Sequence, residues 1–229
     1  MGATTTRPKA WFGSIKKVLT LFIKRPQFVY EGAPLTEGAI LLSNHAGALG
    51  PLTYELYLDQ PFRFWGTYEM NGSFPEVYAY LTKIYYHQKK HWNLMLARIF
   101  CCLAAPLCYM FYRGLNLIST YPDVRLKTTI RESIRVLQQR QSLVIFPEDS
   151  SHGYFDELTM FHRGFLLLAE RCVKHGIDAP LYVAYYRKRD KRCFIDRPIL
   201  LSELLASGTM EEIAVRLCNR CNQLGMTET

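Results

Sequence analysis

A single α/β domain, with a mixed, largely parallel central sheet flanked by helices and an amphipathic helix ahead of it, is the fold this sequence predicts. Three observations carry the prediction. Short apolar runs at residues 39–42, 142–145 and 181–185 lack polar alternation, as strands buried on both faces do. Stretches with apolar residues at helical spacing lie between them, and strands alternating with helices build α/β layers. The first two runs also end on polar, ionisable groups, Ser43-Asn44-His45 and Phe146-Pro147-Glu148-Asp149. In open α/β sheets ligand sites gather beyond the carboxyl ends of strands, so both groups are candidate site residues.

Composition sets the outer bounds. A chain of 229 residues, 49% of them hydrophobic, can bury one substantial core. Lys and Arg number 28 against 20 Asp and Glu, and the formal charge of +8 favours an anionic partner such as phospholipid, nucleic acid or a phosphorylated substrate. The seven cysteines follow no regular framework and are expected to be reduced thiols in a cytosolic compartment. Cys218-x-x-Cys221 has no second pair, so no metal site is expected. Phosphate-binding loops, dinucleotide fingerprints and Gly-x-Ser-x-Gly elbows are all absent from the sequence, which excludes those nucleotide-driven and serine-hydrolase chemistries.

Taken in chain order, residues 1–30 carry six basic side chains (Arg7, Lys9, Lys16, Lys17, Lys24, Arg25) and no acidic one. Trp11, Phe12, Ile15, Val18, Leu19, Phe22 and Ile23 fall on one side of a helix, with Lys16, Lys17, Thr20 and Lys24 opposite. That pattern suits a helix lying in a membrane interface and equally one packed on the domain. Residues 31–229 then form the α/β domain. After the strand leading to His45, residues 51–58 read as a helix opening on Pro51, 62–65 as a short strand and 74–86 as a tyrosine-rich helix. Residues 99–112 carry no charge and contain Pro106. A spanning helix needs about 20 apolar residues, so this run reads as a buried helix feeding a strand that ends at Arg113. A segment dipping into the bilayer surface is its alternative.

Residues 124–139 give the clearest helix, with Leu126, Ile130, Ile134 and Leu137 in register after Pro122-Asp123. A further helix over 161–175 stops at Gly176. The basic cluster at 187–192 reads as a hairpin turn between strands 181–185 and 192–195, and a last helix covers about 210–224. His87-x-x-x-His91 has the spacing of two metal ligands, but Lys89 and Lys90 between them would oppose a cation, so a solvated basic face is expected there.

Asn44-His45 opening a short loop, then Tyr112-Arg113-Gly114, Phe146-Pro147-Glu148 and Phe161-His162-Arg163-Gly164 resemble, in this order, the motif blocks of the lysophosphatidate and glycerol-3-phosphate acyltransferase superfamily. The blocks and the strand after them span roughly residues 38–200. The resemblance implies acyl transfer from a coenzyme A or acyl-carrier-protein thioester to a glycerolipid-like hydroxyl. In that scheme His45 is the base and Glu148 a catalytic positioning group. Asn44, Arg113, Gly114, Phe146, Pro147, Arg163 and Gly164 bind substrate. It also implies no resident cofactor or metal, a membrane phospholipid partner, no nucleic acid, and a peripheral place on the cytoplasmic membrane face. Two departures stand out: Gly50 occupies the Asp position of the His-x4-Asp motif, and Glu148-Asp149-Ser150-Ser151 replaces Glu-Gly-Thr-Arg. Three readings follow from Gly50. Glu55, Asp59 or Glu148 substitutes for the Asp; a backbone carbonyl orients the imidazole; or catalysis is lost and a lipid-binding shell remains.

Overall fold

A computed structural model describes residues 10–227. The predicted side-chain pattern of the N-terminal segment therefore falls partly outside it, at Arg7 and Lys9. Helix α1 (Ala10–Phe22) leads into strand β1 (Gln27–Tyr30) and strand β2 (Ile40–Ser43), which ends next to His45. Helix α2 (Leu49–Tyr57), strand β3 (Phe62–Thr67) and a 3₁₀ turn over Tyr68–Asn71 follow. A helical hairpin then runs through α3 (Phe74–Ala79), a π-helical segment Tyr80–Lys89 and α4 (Leu94–Gly114). Strand β4 (Leu117–Thr120), helix α5 (Leu126–Gln138), strand β5 (Ser142–Ile145) and helix α6 (Gly164–Lys174) complete the middle of the chain. Strands β6 (Pro180–Arg187), β7 (Arg192–Ile195) and β8 (Ile199–Leu200) precede helices α7 (Leu201–Ala206) and α8 (Met210–Met226).

All eight strands join one sheet in the order β1-β7-β6-β2-β5-β3-β4, with β8 pairing the start of β6. Strands β2, β5, β3 and β4 run parallel, as do β6 with β2 and β1 with β7; β6 pairs antiparallel with β7 and β8. The apolar runs become the central strands because every residue of β2 and β5 is buried. Ile40, Leu42, Leu143, Ile145 and Val183 pack on one face against α5, α6, α7 and α8. Leu41, Val144, Tyr182 and Ala184 face the other way, against Tyr54 of α2. The turn between β6 and β7 is the predicted basic hairpin. Within it Arg187 pairs with Asp190 at 2.6 Å and donates to the carbonyls of Gly225 and Thr227, fastening the end of α8.

The structure overturns the reading of residues 99–112. They belong to one uninterrupted helix, α4, which absorbs Pro106 and runs on to Gly114, so Arg113 ends a helix and not a strand. Nor is α4 a core helix. Cys101 and Ala105 pack on Val77 and Leu81 and Ala97 is buried, while Leu96, Ile99, Leu103 and Leu107 are 61%, 60%, 81% and 65% exposed. By length and composition α4 could cross a membrane. Helix α1 docks on the domain through a narrow stripe: Phe12 is buried against Phe111 with ring centres 5.4 Å apart, and Lys16 pairs with Glu55 at 2.9 Å. Val18, Leu21 and Phe22 remain exposed.

Candidate active site

The site forms where β2 and β5 end side by side. Ser43 is the last residue of β2, and its hydroxyl lies 2.8 Å from that of buried Tyr54. Asn44 prolongs the ladder with its side chain: Nδ2 donates to the Tyr186 carbonyl at 3.1 Å, and the Tyr186 N–H donates to Oδ1 at 2.7 Å. Buried and bonded to β6 through both polar atoms of its side chain, Asn44 fastens the loop.

The chain then turns through two left-handed residues, Ala46 (φ 49°) and Gly47 (φ 69°). This turn brings the Gly47 carbonyl onto the ring of His45, where Nδ1 is its hydrogen-bond partner. A carbonyl only accepts, so Nδ1 carries the proton and Nε2 is left with its lone pair. The Gly50 N–H closes the loop by donating to the His45 carbonyl at 3.2 Å. A Cβ at position 50 would collide with that carbonyl, approaching its carbon to 2.9 Å. The loop is built around glycine there.

Phe146 and Tyr154 enclose the imidazole, with ring centres 4.9 and 4.6 Å from it, the Tyr154 ring stacked. Burial, assisted by the positive charges of Lys89 and Lys90, lowers the His45 pKa to about 4, so the ring is neutral at physiological pH. Glu148 does not meet the ring. Its Oε1 accepts from the His45 backbone N–H at 3.0 Å, while Oε2 is buried without a hydrogen-bond partner among the described residues. Burial pushes its carboxyl up to about 7, against the pull of the His45 N–H and of Lys89 and Lys188. Of the other two carboxylates considered as substitutes for an Asp, Glu55 pairs with Lys16 and Asp59 with Arg25 at 3.0 Å. Among the described residues, the Gly47 carbonyl is the group that orients the imidazole.

A cavity of about 750 Å³ opens in front of His45, walled by Phe64, Trp65, Tyr80, Phe146, Pro147 and Tyr154 and floored by Gly164 and Phe165. Phe146, Pro147 and Gly164, three of the residues that the motif resemblance singles out, line this cavity. Gly164 opens α6 beneath Trp65, with room for a Cβ only in ordinary contact at 3.6 Å. Arg113, Gly114 and Arg163 do not line it. The Arg113 guanidinium donates to the Gly72 carbonyl at 2.8 Å and to the Tyr109 hydroxyl at 3.0 Å. Gly114 is the notch that seats Phe12, whose ring would overlap any side chain there. Arg163 caps α6 from outside and pairs with Glu211 at 3.4 Å. Asp149 turns away to accept from the Ser151 N–H at 2.9 Å.

Sequence reasoning missed Tyr154 and misplaced Lys89. Lys89 is half-buried at the cavity wall, its ammonium 2.6 Å from the Ser150 hydroxyl and 5.3 Å from the Tyr154 ring centre. The π-helical winding of Tyr80–Lys89 carries it there, and helical spacing assumed at 3.6 residues per turn gives no sign of that. No group of three or more His, Cys, Asp or Glu side chains is placed to hold a metal ion among the described residues.

No protein-family model matches the sequence, and no curated protein matches it. Among solved structures, the fold is similar to that of the 1-acyl-sn-glycerophosphate (LPA) acyltransferase PlsC from Thermotoga maritima. The match covers 96% of this chain and 80% of that one at a TM-score of 0.51 and 14% sequence identity. A likeness at that identity establishes a common fold.

Proposed function

We propose that this chain is an O-acyltransferase that moves a fatty acyl group from an acyl-coenzyme A or acyl-carrier-protein thioester to the hydroxyl of a glycerolipid-like acceptor. The observation that carries this reading is the hydrogen bond between His45 Nδ1 and the Gly47 carbonyl, which leaves Nε2 unprotonated at the wall of an apolar cavity. As the acceptor oxygen attacks the thioester carbonyl, Nε2 takes its proton. The tetrahedral intermediate collapses with departure of the thiolate, which recovers the proton from the imidazolium. No covalent enzyme intermediate and no resident cofactor enter the scheme. Glu148 acts through the His45 backbone, holding the loop that presents the ring. Fold similarity to a lysophosphatidate acyltransferase supports the reaction class, and the aromatic walls suit an acyl chain.

The same reading places the chain on a phospholipid surface, at the cytoplasmic face. Its support is the exposed apolar side of α4, the exposed Leu21 and Phe22 of α1, and an excess of basic residues over the whole chain. A second reading, a non-catalytic lipid-binding relative, is favoured by Gly50: a carbonyl orients an imidazole but supplies no negative charge to the imidazolium.

The deciding experiment incubates the full chain with labelled acyl-coenzyme A and a panel of lysophospholipid and glycerol-phosphate acceptors, beside His45→Ala. Transfer by the wild type that falls by a factor of about 10² or more in the variant upholds the acyltransferase. Lipid binding with no transfer above the variant's background replaces it with the second reading.

A further inference from the structure

Neither arginine expected from the motif resemblance reaches the cavity, yet the cavity is not without a cation. Lys89 lines it, and Lys89 has no carboxylate within ion-pair distance among the described residues. Glu148, Asp149 and Glu69 lie close enough to draw on its charge, but the side chain's one hydrogen bond is to the neutral hydroxyl of Ser150. Lys90 is likewise unpaired, with its ammonium 5.8 Å from the Tyr154 ring centre and 3.8 Å from where a Cβ of Gly47 would stand. Two ammonium groups therefore flank the ring that stacks on His45.

Their placement is fixed by the backbone. The Lys90 N–H donates to the Tyr85 carbonyl at 3.1 Å, five residues back, in the π-helical pattern. Gln88 Nε2 donates to the Ser151 carbonyl at 3.4 Å, and His91 Nε2 lies 3.3 Å from the His152 carbonyl. These contacts stitch the end of the π-helical segment to the loop after Glu148. Gly153, at φ 120°, lets the two backbones close up, since a Cβ there would stand 3.1 Å from the Lys89 carbonyl. The widened winding of this segment thus turns a lysine into the site. π-helical segments recur at functional sites for this reason.

We propose that Lys89, with Lys90 beside it, is an anion-binding subsite of the His45 cavity, and that it takes the phosphate group of a substrate. The ammonium and the Ser150 hydroxyl both donate to phosphate oxygens, and an incoming dianion gives the two ammonium groups the direct ion pair that Glu148, Asp149 and Glu69 do not form with them. The subsite itself rests on geometry; only its service to acyl transfer rests on the function proposed above. The phosphate belongs either to the acceptor or to the donor.

Calorimetric titration of the full chain with glycerol 3-phosphate, and with inorganic phosphate as competitor, tests the subsite directly. The expected result is saturable binding that Lys89→Met weakens about tenfold or more, with Lys90→Met weaker in effect and Lys89→Arg retaining most of the affinity. Arg113→Met and Arg163→Met bind as the wild type does. Thermal unfolding midpoints confirm that each variant is folded. Absence of saturable binding by the wild type, or wild-type affinity in folded Lys89→Met, overturns the proposal. Phosphate binding through Lys89 without any acyl transfer keeps the subsite and removes the acyltransferase. In transfer assays, the Lys89→Met defect is expected to vanish with monoacylglycerol if the acceptor carries the phosphate. It vanishes with an acyl-pantetheine donor if coenzyme A does. A defect of equal size with both phosphate-free substrates overturns the assignment.

Discussion

The Gly50 N–H and the place where its Cβ would stand both point at the His45 carbonyl, so the glycine belongs to the geometry of the loop that presents the imidazole. An aspartate introduced there cannot reach the imidazole without opening the loop that Gly50 closes. Gly50→Asp is therefore expected to lower acyl transfer by at least about tenfold and to destabilise the fold by about 1–3 kcal/mol, the range for overpacking a tight site. Steady-state transfer and urea unfolding read the two effects; a gain of activity would show that the dyad is sterically available. Glu148 gives a pH test. Its folded pKa of about 7 lies above the ordinary value near 4.3, so its contribution to stability is full below that value and is lost as pH rises through about 7. His45, lowered to about 4, works in the opposite sense: its contribution is present above about 6.5 and is lost as pH falls through about 4. Glu148→Gln removes the first and leaves the second. The variant is expected to gain on the wild type by about 2 kcal/mol at about pH 8, with the difference closing toward about pH 5. A pH-independent difference in urea unfolding would mean that the buried carboxyl titrates as it does in water.

Elements were legible where one physical signal decided them. The central strands β2, β5 and β6 announce themselves as unbroken apolar runs because both their faces are covered, and α5 because its apolar residues keep strict helical spacing. Edge strands β1 and β4 have half-exposed residues and gave no such run. Helix α4 misled for a different reason. Absence of charge signals burial only if protein does the burying, and here most of the apolar surface faces outward. Pro106 added to the error, since a proline inside a helix costs a hydrogen bond and reads as a break. At the site, strand ends located His45, Phe146, Pro147 and Glu148, because a buried strand must release its polar residues at the carboxyl edge. Motif likeness did worse for Arg113, Gly114 and Arg163, whose side chains or Cβ positions are claimed by Tyr109, Phe12 and Glu211. A motif records residue order, and which way a residue faces depends on the element it falls on.

At the scale of the molecule, α4 has two unlike sides. One is packed on the helices before it through Cys101 and Ala105; the other shows Leu96, Ile99, Leu103 and Leu107 at the spacing of a single stripe. A helix fixed along its length to its own domain cannot pass through a bilayer alone, so the stripe suits a helix lying in the interface plane. Lys24 beyond α1 and the net charge of +8 add attraction to anionic headgroups. Withdrawing one leucine from an apolar phase loses about 2 kcal/mol. Leu103→Glu with Leu107→Glu is accordingly expected to lower partitioning onto phosphatidylglycerol-containing vesicles at least about a hundredfold, with the unfolding midpoint unchanged because both side chains are already exposed. Raising salt should weaken binding to those vesicles and leave the apolar part of the interaction in place on neutral ones. Cosedimentation measures the partitioning, and thermal unfolding the midpoint. Wild-type partitioning by the double variant would move the membrane contact off α4, leaving α1 with its exposed Val18, Leu21 and Phe22 to account for it.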